Sequence, residues 1–362
     1  MTASISPDKR GRLVDGAQRI LVIRAGALGD CVLMLPTLSA LRARFPRARI
    51  DVMGYPMRWA WVLGRGLVDQ VHSIDRPGMH LMFCEAAELP DSLKTFLGAY
   101  DVILSYRPDP EGVFTTNLRK LGGSIVLSQS PFPPPPPPKA HVADFALKLV
   151  AELGVPPPRA MPRLQLNAGE HALVQPFFAV HGIDPSHDRL AVLHPGSGSE
   201  TKRWPVERYA ALARELAYRE HVLIVIIVGY AERALVPRLL PLLHGVKPLV
   251  AENWPLLHTA ALIAHAAVFI GNDSGLTHLA AVLGNPTVAI FGPTDPEIWG
   301  PRGKAVTIVQ MTGGDAEREW TSQDQTCTLS ERPDVVQVLN AAQRWLEVKH
   351  LTQSPDGRSA RS

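Results

Sequence analysis

Cysteine is scarce. Cys31, Cys84 and Cys327 are the only three in 362 residues, far apart and without metal-ligand spacing, which argues against a disulfide framework and fits a reducing compartment. No apolar run reaches the ~18 residues needed to span a bilayer. The stretch Ile20–Pro36 invites a signal-segment reading, but Arg24 and Asp30 interrupt it and no small-residue cleavage site follows. A cytosolic protein is therefore expected, at most peripheral to a membrane. Excess charge is also missing: a formal +3 says little about partners, and no nucleic-acid partner is expected. The G-x-G-x-x-G pattern of dinucleotide sites is absent too. Asp51 ends a predicted strand where a ribose-binding acid could stand, but the loop before Asp30 offers only Gly26 and Gly29, so the pyrophosphate of a dehydrogenase cofactor would lack its approach.

What is present is a chain long enough for two domains, with the 46% hydrophobic and 20% charged residues of a soluble globular protein. Residues 1–18 read as a loose leader. Arg19–Arg24, Arg49–Met53, Val71–Ile74 and Asp101–Ser105 read as strands with room for crossover helices between them, which predicts a parallel sheet covered on both faces. A helix follows Asp30 and ends near Phe45-Pro46, with Pro36 marking a kink or a late start. Residues 131–138, PFPPPPPP, form a polyproline II segment, either a stiff surface loop or a docking site. The domains are expected at 19–165 and 188–330, with the boundary around 160–188. An amphipathic helix in 331–350 could pack back on the first domain, and 351–362 reads as a disordered tail.

The stretch 268–298, VFIGNDSGLTHLAAVLGNPTVAIFGPTDPEI, reads as strand, tight loop, helix, turn, strand and second loop. Asp273 or Ser274 would cap the helix and Gly284 would end it. Free N–H groups near Gly275, Leu276 and Thr277, at the positive end of the helix dipole, make a cradle for an anionic group the size of a diphosphate. The alternative is an ordinary capped joint with no ligand. Earlier, His194–Pro205 places Ser197, Ser199 and the pair Lys202-Arg203 after the strand Leu190–Leu193, a composition suited to a polyanion or equally to a solvated loop. The buried strand His221–Val228 leads to Glu232, which is either at the ligand edge of the sheet or idle on a helix surface. Asp30 begins its helix and could do no more than cap it. Arg42, Arg44, Arg47 and Arg49 fall within eight residues, either an anion-facing patch or a solvated basic helix end. His258 and His265 read as core or surface histidines rather than metal ligands.

Gly271–Ala281, followed by Asn285-Pro286-Thr287 and Phe291–Pro296, is similar to the C-terminal signature of glycosyltransferase family 9, whose best-known members are the ADP-heptose:lipopolysaccharide heptosyltransferases. The match continues in order at Arg24–Pro36, His194–Trp204 and Gly229–Glu232, and so covers about residues 19–310. The resemblance implies a GT-B fold, α/β with two Rossmann-like parallel-sheet domains facing a cleft, and an inverting, metal-independent transfer of heptose from ADP-heptose to a lipopolysaccharide-core or related acceptor. It further implies Asp30 as the catalytic base, Lys202 on the donor phosphates, Glu232 on the ribose and Asp273 beside the donor sugar. From the composition of their own loops, Ser197, Ser199, Ser274, Gly275, Leu276 and Thr277 are expected to complete the donor side, and the four arginines, at the end of the helix that begins at Asp30, to serve a glycolipid acceptor at the inner membrane face. No cofactor and no metal are expected, and the sequence contains no D-x-D pair to clamp a diphosphate through a metal. A family member with another nucleotide sugar or acceptor, or a non-catalytic nucleotide-sugar binding protein, remains open at this stage.

Overall fold

A computed structural model describes residues 16–85, 87–122, 124–134, 139–158, 161–311 and 333–353. Most of the expected leader, prolines 135–138, the polar loop 312–328 with Cys327, and the end of the tail lie outside the described residues. The chain divides into two compact units, Met1–Pro162 and Arg163–Ser362.

The first unit is built on a five-stranded parallel sheet in the order β3-β2-β1-β4-β5. Its strands are β1 (Arg19–Ile23), β2 (Arg49–Gly54), β3 (Gln70–Ser73), β4 (Val102–Ser105) and β5 (Ile125–Ser128), the last not anticipated. The central β1 pairs with β2 at Ile20↔Ile50 and with β4 at Ile20↔Val102. Ile20, Leu21, Val22 and Ile23 are fully buried, as expected of a strand covered on both faces. The helix after Asp30 is two helices, Leu28–Leu33 and Leu35–Arg44. Pro36 explains the break: it has no N–H to donate to the carbonyl of Val32, so the chain turns at Met34, whose amide reaches back only to Cys31.

The second unit carries a six-stranded parallel sheet, β11-β10-β9-β6-β7-β8. These are β6 (Leu190–His194), β7 (Leu223–Val228), β8 (Leu249–Glu252), β9 (Val268–Asn272), β10 (Thr287–Phe291) and β11 (Val306–Gln310). β7 begins later than its apolar run suggests, because His221 adopts a left-handed backbone (φ 51) that ends the helix Val206–Glu220. The boundary was expected around 160–188; the chain divides after Pro162, and the next residues already pack within this unit, the Leu164 amide donating to Val282 O at 2.7 Å and Arg163 Nε to Leu283 O at 3.2 Å.

The C-terminal helix is Pro333–Gln353, and its apolar face is buried within the second unit. Val335, Val338, Leu339, Ala342 and Leu346 join the core formed with Val206–Glu220 and the second sheet. Asp334 accepts from Trp204 Nε1 at 2.9 Å and from Arg208, and Trp345 Nε1 donates to Thr307 Oγ1 at 3.0 Å. Among the described residues no helix is long and apolar enough to cross a membrane.

Candidate active site

In the second unit, the predicted donor residues converge at the carboxyl ends of β6, β7 and β9, the edge where open α/β sheets bind ligands. β9 runs straight into the helix Gly275–Leu283. Ser274, not Asp273, is the N-cap, with its hydroxyl toward the Thr277 amide at 3.5 Å. The first intrahelical bond is made by His278 N to Ser274 O, so the Gly275 and Leu276 amides precede the helical ladder. At the other end Gly284 sits at φ 82, a backbone that favours glycine, and its lack of a side chain makes room for Arg163.

With capping taken over by Ser274, the carboxylate of Asp273 is available for other work. It lies 7% exposed and accepts from Lys202 Nζ at 2.7 Å and from Thr294 Oγ1 at 2.7 Å. The two sequence motifs thus meet in an ion pair between residues 71 positions apart. Asn272, which sequence reasoning passed over, braces them. Its carboxamide donates to Pro195 O (2.8 Å) and Gly196 O (3.2 Å) and accepts from the Trp204 amide (3.0 Å). The signal was an amide-bearing residue closing a wholly apolar strand, where a buried polar group must be satisfied.

Ser197 is buried and donates to Asp273 O at 2.8 Å, so its hydroxyl fixes the loop rather than facing outward. Ser199 pairs with Thr201 at 2.9 Å. The Thr277 hydroxyl is spent on Asn272 O. His194 ends β6 with Nδ1 3.2 Å from Ser274 Oγ, and burial lowers its pKa to about 4, which keeps the ring neutral beside the helix N-terminus.

Glu232 is not an idle surface residue. It is 7% exposed, and Oε2 accepts the Gly229 amide at 3.0 Å. The side chain lies against Gly196, where an added Cβ would come within 2.2 Å of Glu232 Cγ. Among the described residues, Oε1 has no hydrogen-bond partner and can still accept.

In the first unit, Asp30 stands at the carboxyl end of β1. Oδ1 accepts from Arg24 Nη2 at 2.8 Å and Oδ2 from the Ala27 amide at 2.7 Å. The carboxylate does cap its helix, and each oxygen keeps a second lone pair. Gly26 is required here, because a Cβ would fall 2.6 Å from the carboxylate. Arg24 was not singled out from sequence, although a cation closing an apolar strand needs a partner. It is 2% exposed, burial lowers the pKa of its guanidinium, and Asp30 opposes that shift. Beneath them Cys31 is inert, its thiol pushed up to about 12 by burial.

Asp51 lies inside β2 rather than at its end. It is fully buried and held by Arg49 (3.0 Å), Tyr100 (2.8 Å) and His72 (3.1 Å), so it has no ribose role. The four arginines are not near Asp30. The helix Leu35–Arg44 runs back against the strands, which puts its last turn at the amino edge of the sheet, where Arg49 pairs with Arg19 at the start of β1. From Asp30 to Arg44 that is about 20 Å of helix. Arg42 is bound to Asp69 (2.6 Å) and Ala48 O (2.7 Å), Arg49 to Asp51, and Arg44 stacks on Phe45. The acceptor-side expectation for Arg42, Arg44, Arg47 and Arg49 is therefore corrected: the patch belongs to the opposite edge.

Two parallel α/β units, one with a carboxylate and one with an anion cradle at their strand ends, have the architecture of a GT-B glycosyltransferase. Residues 123–328 match the model of glycosyltransferase family 9 (heptosyltransferase), and the chain belongs to that family. It is a glycosyltransferase. Lipopolysaccharide heptosyltransferase 2 of Salmonella typhimurium is 27% identical over 321 residues, 82% of this chain and 89% of that protein. The protein of the same name from Escherichia coli is 26% identical over 319 residues, with the same coverage. Among solved structures, a family 9 glycosyltransferase from Veillonella parvula superposes with a TM-score of 0.73 at 22% identity, covering 91% of this chain and 98% of that one. The ADP-heptose lipopolysaccharide heptosyltransferase II of Escherichia coli gives 0.68 at 21%, covering 92% and 99%.

Proposed function

We propose that this protein is an inverting, metal-independent heptosyltransferase that moves heptose from ADP-heptose to a lipopolysaccharide-core acceptor, in the cytoplasm and at most peripherally on the inner membrane face. The observation that carries this reading is the pairing of Lys202 with Asp273 beside the open Gly275 and Leu276 amides. The group supplies cationic and backbone donors for a diphosphate and a carboxylate for sugar hydroxyls. The names of the related proteins support the choice of sugar and acceptor.

In the proposed reaction an Asp30 oxygen takes the proton of the acceptor hydroxyl. The acceptor oxygen attacks the anomeric carbon, and the bond from that carbon to the diphosphate oxygen breaks, releasing ADP. The negative charge that grows on the diphosphate is met by Lys202 Nζ and the helix N-terminus, groups already fixed before the reaction and therefore needing little reorganisation. Arg24 fixes the Asp30 carboxylate in place for that step. Glu232 would hold the ribose hydroxyls through its open Oε1.

Thermal shift with a panel of nucleoside diphosphates and nucleotide sugars tests the donor. ADP-heptose should raise Tm more than its uridine or guanosine counterparts, by an increment that Lys202→Ala abolishes. Stabilisation by a uridine or guanosine sugar and not by ADP-heptose would refute the donor assignment.

A further inference from the structure

The loop Gly292–Pro296 follows β10 at the strand-end edge that carries Asp273 and Lys202. Its sequence makes it stiff. Pro293 and Pro296 fix their own φ, and Gly292 and Asp295 each precede a proline, which steers them to extended backbone; Asp295 sits at φ −79, ψ 115. Both ends are tied down. Phe291 is fully buried and its carbonyl accepts the Met311 amide at 2.7 Å, while the Asp295 side chain accepts the Glu297 amide at 2.9 Å and so caps the short helix Pro296–Trp299. The loop also runs beside the one that bears Lys202, since a Cβ added at Gly292 would lie 3.7 Å from Thr201 O.

Between these anchors stands Thr294. Its hydroxyl donates to Asp273 Oδ2 at 2.7 Å, the same oxygen that accepts from Lys202 Nζ at 2.7 Å. The main chain of Asp273 is fixed independently, its amide donating to Ile290 O at 2.9 Å and its carbonyl accepting from Ser197 Oγ at 2.8 Å. What Thr294 adds is therefore the direction of the carboxylate. Among the described residues Oδ1 accepts no hydrogen bond, and His278 Nε2, at 4.0 Å, is beyond hydrogen-bond reach of it.

The two donors on Oδ2 are not equivalent. An ammonium carries three hydrogens on a flexible stem and is drawn toward negative charge growing on a diphosphate, whereas a threonine hydroxyl has one hydrogen, here given to Asp273. A carboxylate held by Lys202 alone would loosen as the leaving group takes up its charge. One held also by a neutral hydroxyl on a stiff loop keeps its direction through that step, which is where fixed polar groups act with little reorganisation.

We propose that Thr294 is a positioning residue for the donor sugar: its hydroxyl holds the Asp273 carboxylate while Lys202 serves the departing diphosphate, so that Oδ1 stays available to a sugar hydroxyl. This rests on the reading that Asp273 and Lys202 bind the sugar and diphosphate of ADP-heptose.

Thr294→Val keeps the shape and removes the hydroxyl; Thr294→Ser keeps the hydroxyl. With ADP-heptose and heptose-free lipopolysaccharide core, Thr294→Val should lower kcat about tenfold, the size of one hydrogen bond to a charged group, while calorimetric affinity for ADP stays within about twofold. Thr294→Ser should bring kcat back to within about threefold of the parent protein. In an Asp273→Ala background the same Thr294→Val step should cost less than about twofold, since no carboxylate is left to hold. An unchanged kcat in Thr294→Val overturns the proposal. So does a parallel loss of ADP affinity, which would make Thr294 a support of the loop, and so does an undiminished cost in the Asp273→Ala background. Failure of the transferase reading shows separately, as no heptosyl transfer by the parent protein. The affinity that ADP-heptose gains over ADP then decides: a gain that Thr294→Val reduces by about threefold sustains the proposal, and a gain it leaves untouched, or none in the parent, overturns it.

Discussion

Asp273→Asn separates two roles that the structure joins in one carboxylate. Asp273 holds Lys202 at 2.7 Å, with side-chain exposures of 7% and 30%. A phosphate oxygen on the far side of Lys202 Nζ, at a charge-assisted hydrogen-bond distance, would stand about 5 Å from the Asp273 carboxylate. At an effective dielectric near 20 the repulsion between two unit negative charges at that separation is about 3 kcal/mol. Solvent at the partly exposed Lys202 screens much of it, leaving about 1 kcal/mol. Asparagine removes the repulsion and keeps the shape, so the variant should bind ADP as well as the parent or up to about fivefold more tightly. Heptosyl transfer should fall by about 10–100-fold, because a charged acceptor for sugar hydroxyls has gone. Calorimetry with ADP and initial rates with ADP-heptose read the two quantities independently. If ADP affinity and turnover fall together, Asp273 only anchors the loop of Lys202, and its assignment to the sugar is refuted.

Asp30→Asn is nearly isosteric and should leave ADP binding intact while lowering turnover about 10²–10⁴-fold; near-normal turnover would remove Asp30 as the base. Glu232→Gln should narrow the preference for ribo- over 2′-deoxyadenosine diphosphate in a competition assay, whereas an unchanged preference would leave Glu232 as the cap of Gly229 alone. His194 links stability to pH. Its folded pKa, about 4, lies below the ordinary 6.5, so its contribution is complete above pH 6.5 and lost as pH falls toward 4. The total is up to about 3 kcal/mol, and His194→Gln should flatten that part of a urea-melt series between pH 7 and 4.5; an unaltered slope would contradict the burial argument. Asp334→Ala removes the carboxylate that meets Trp204 and buried Arg208, and should lower the denaturation midpoint of the second unit by an amount equivalent to about 3–5 kcal/mol, which a peripheral helix would not do.

Much of the fold was legible because parallel strands covered on both faces are continuous apolar runs, as in Arg19–Ile23 and Leu223–Val228. β5, β8 and β11 went unseen, although β3 and β4 are no longer than β5 and β8 and were read, so shortness alone does not account for it. The amphipathic pattern of the last helix showed that it would bury a face without showing against what. The space left by glycines 26 and 196 is occupied by Asp30 and Glu232, which spacing alone could not show. The position of the arginine cluster could have been foreseen. A crossover helix between parallel strands must run back along the sheet, so a basic last turn lies away from the ligand edge.

The most direct measurement is transfer itself. Purified protein is incubated with ADP-heptose and heptose-free lipopolysaccharide core in the presence of a chelator, and the acceptor is followed by mass spectrometry alongside released ADP. The account predicts an acceptor heavier by one heptosyl residue for each ADP formed, and neither product with Asp30→Asn on the same timescale. No mass increase, or full activity in Asp30→Asn, would contradict it.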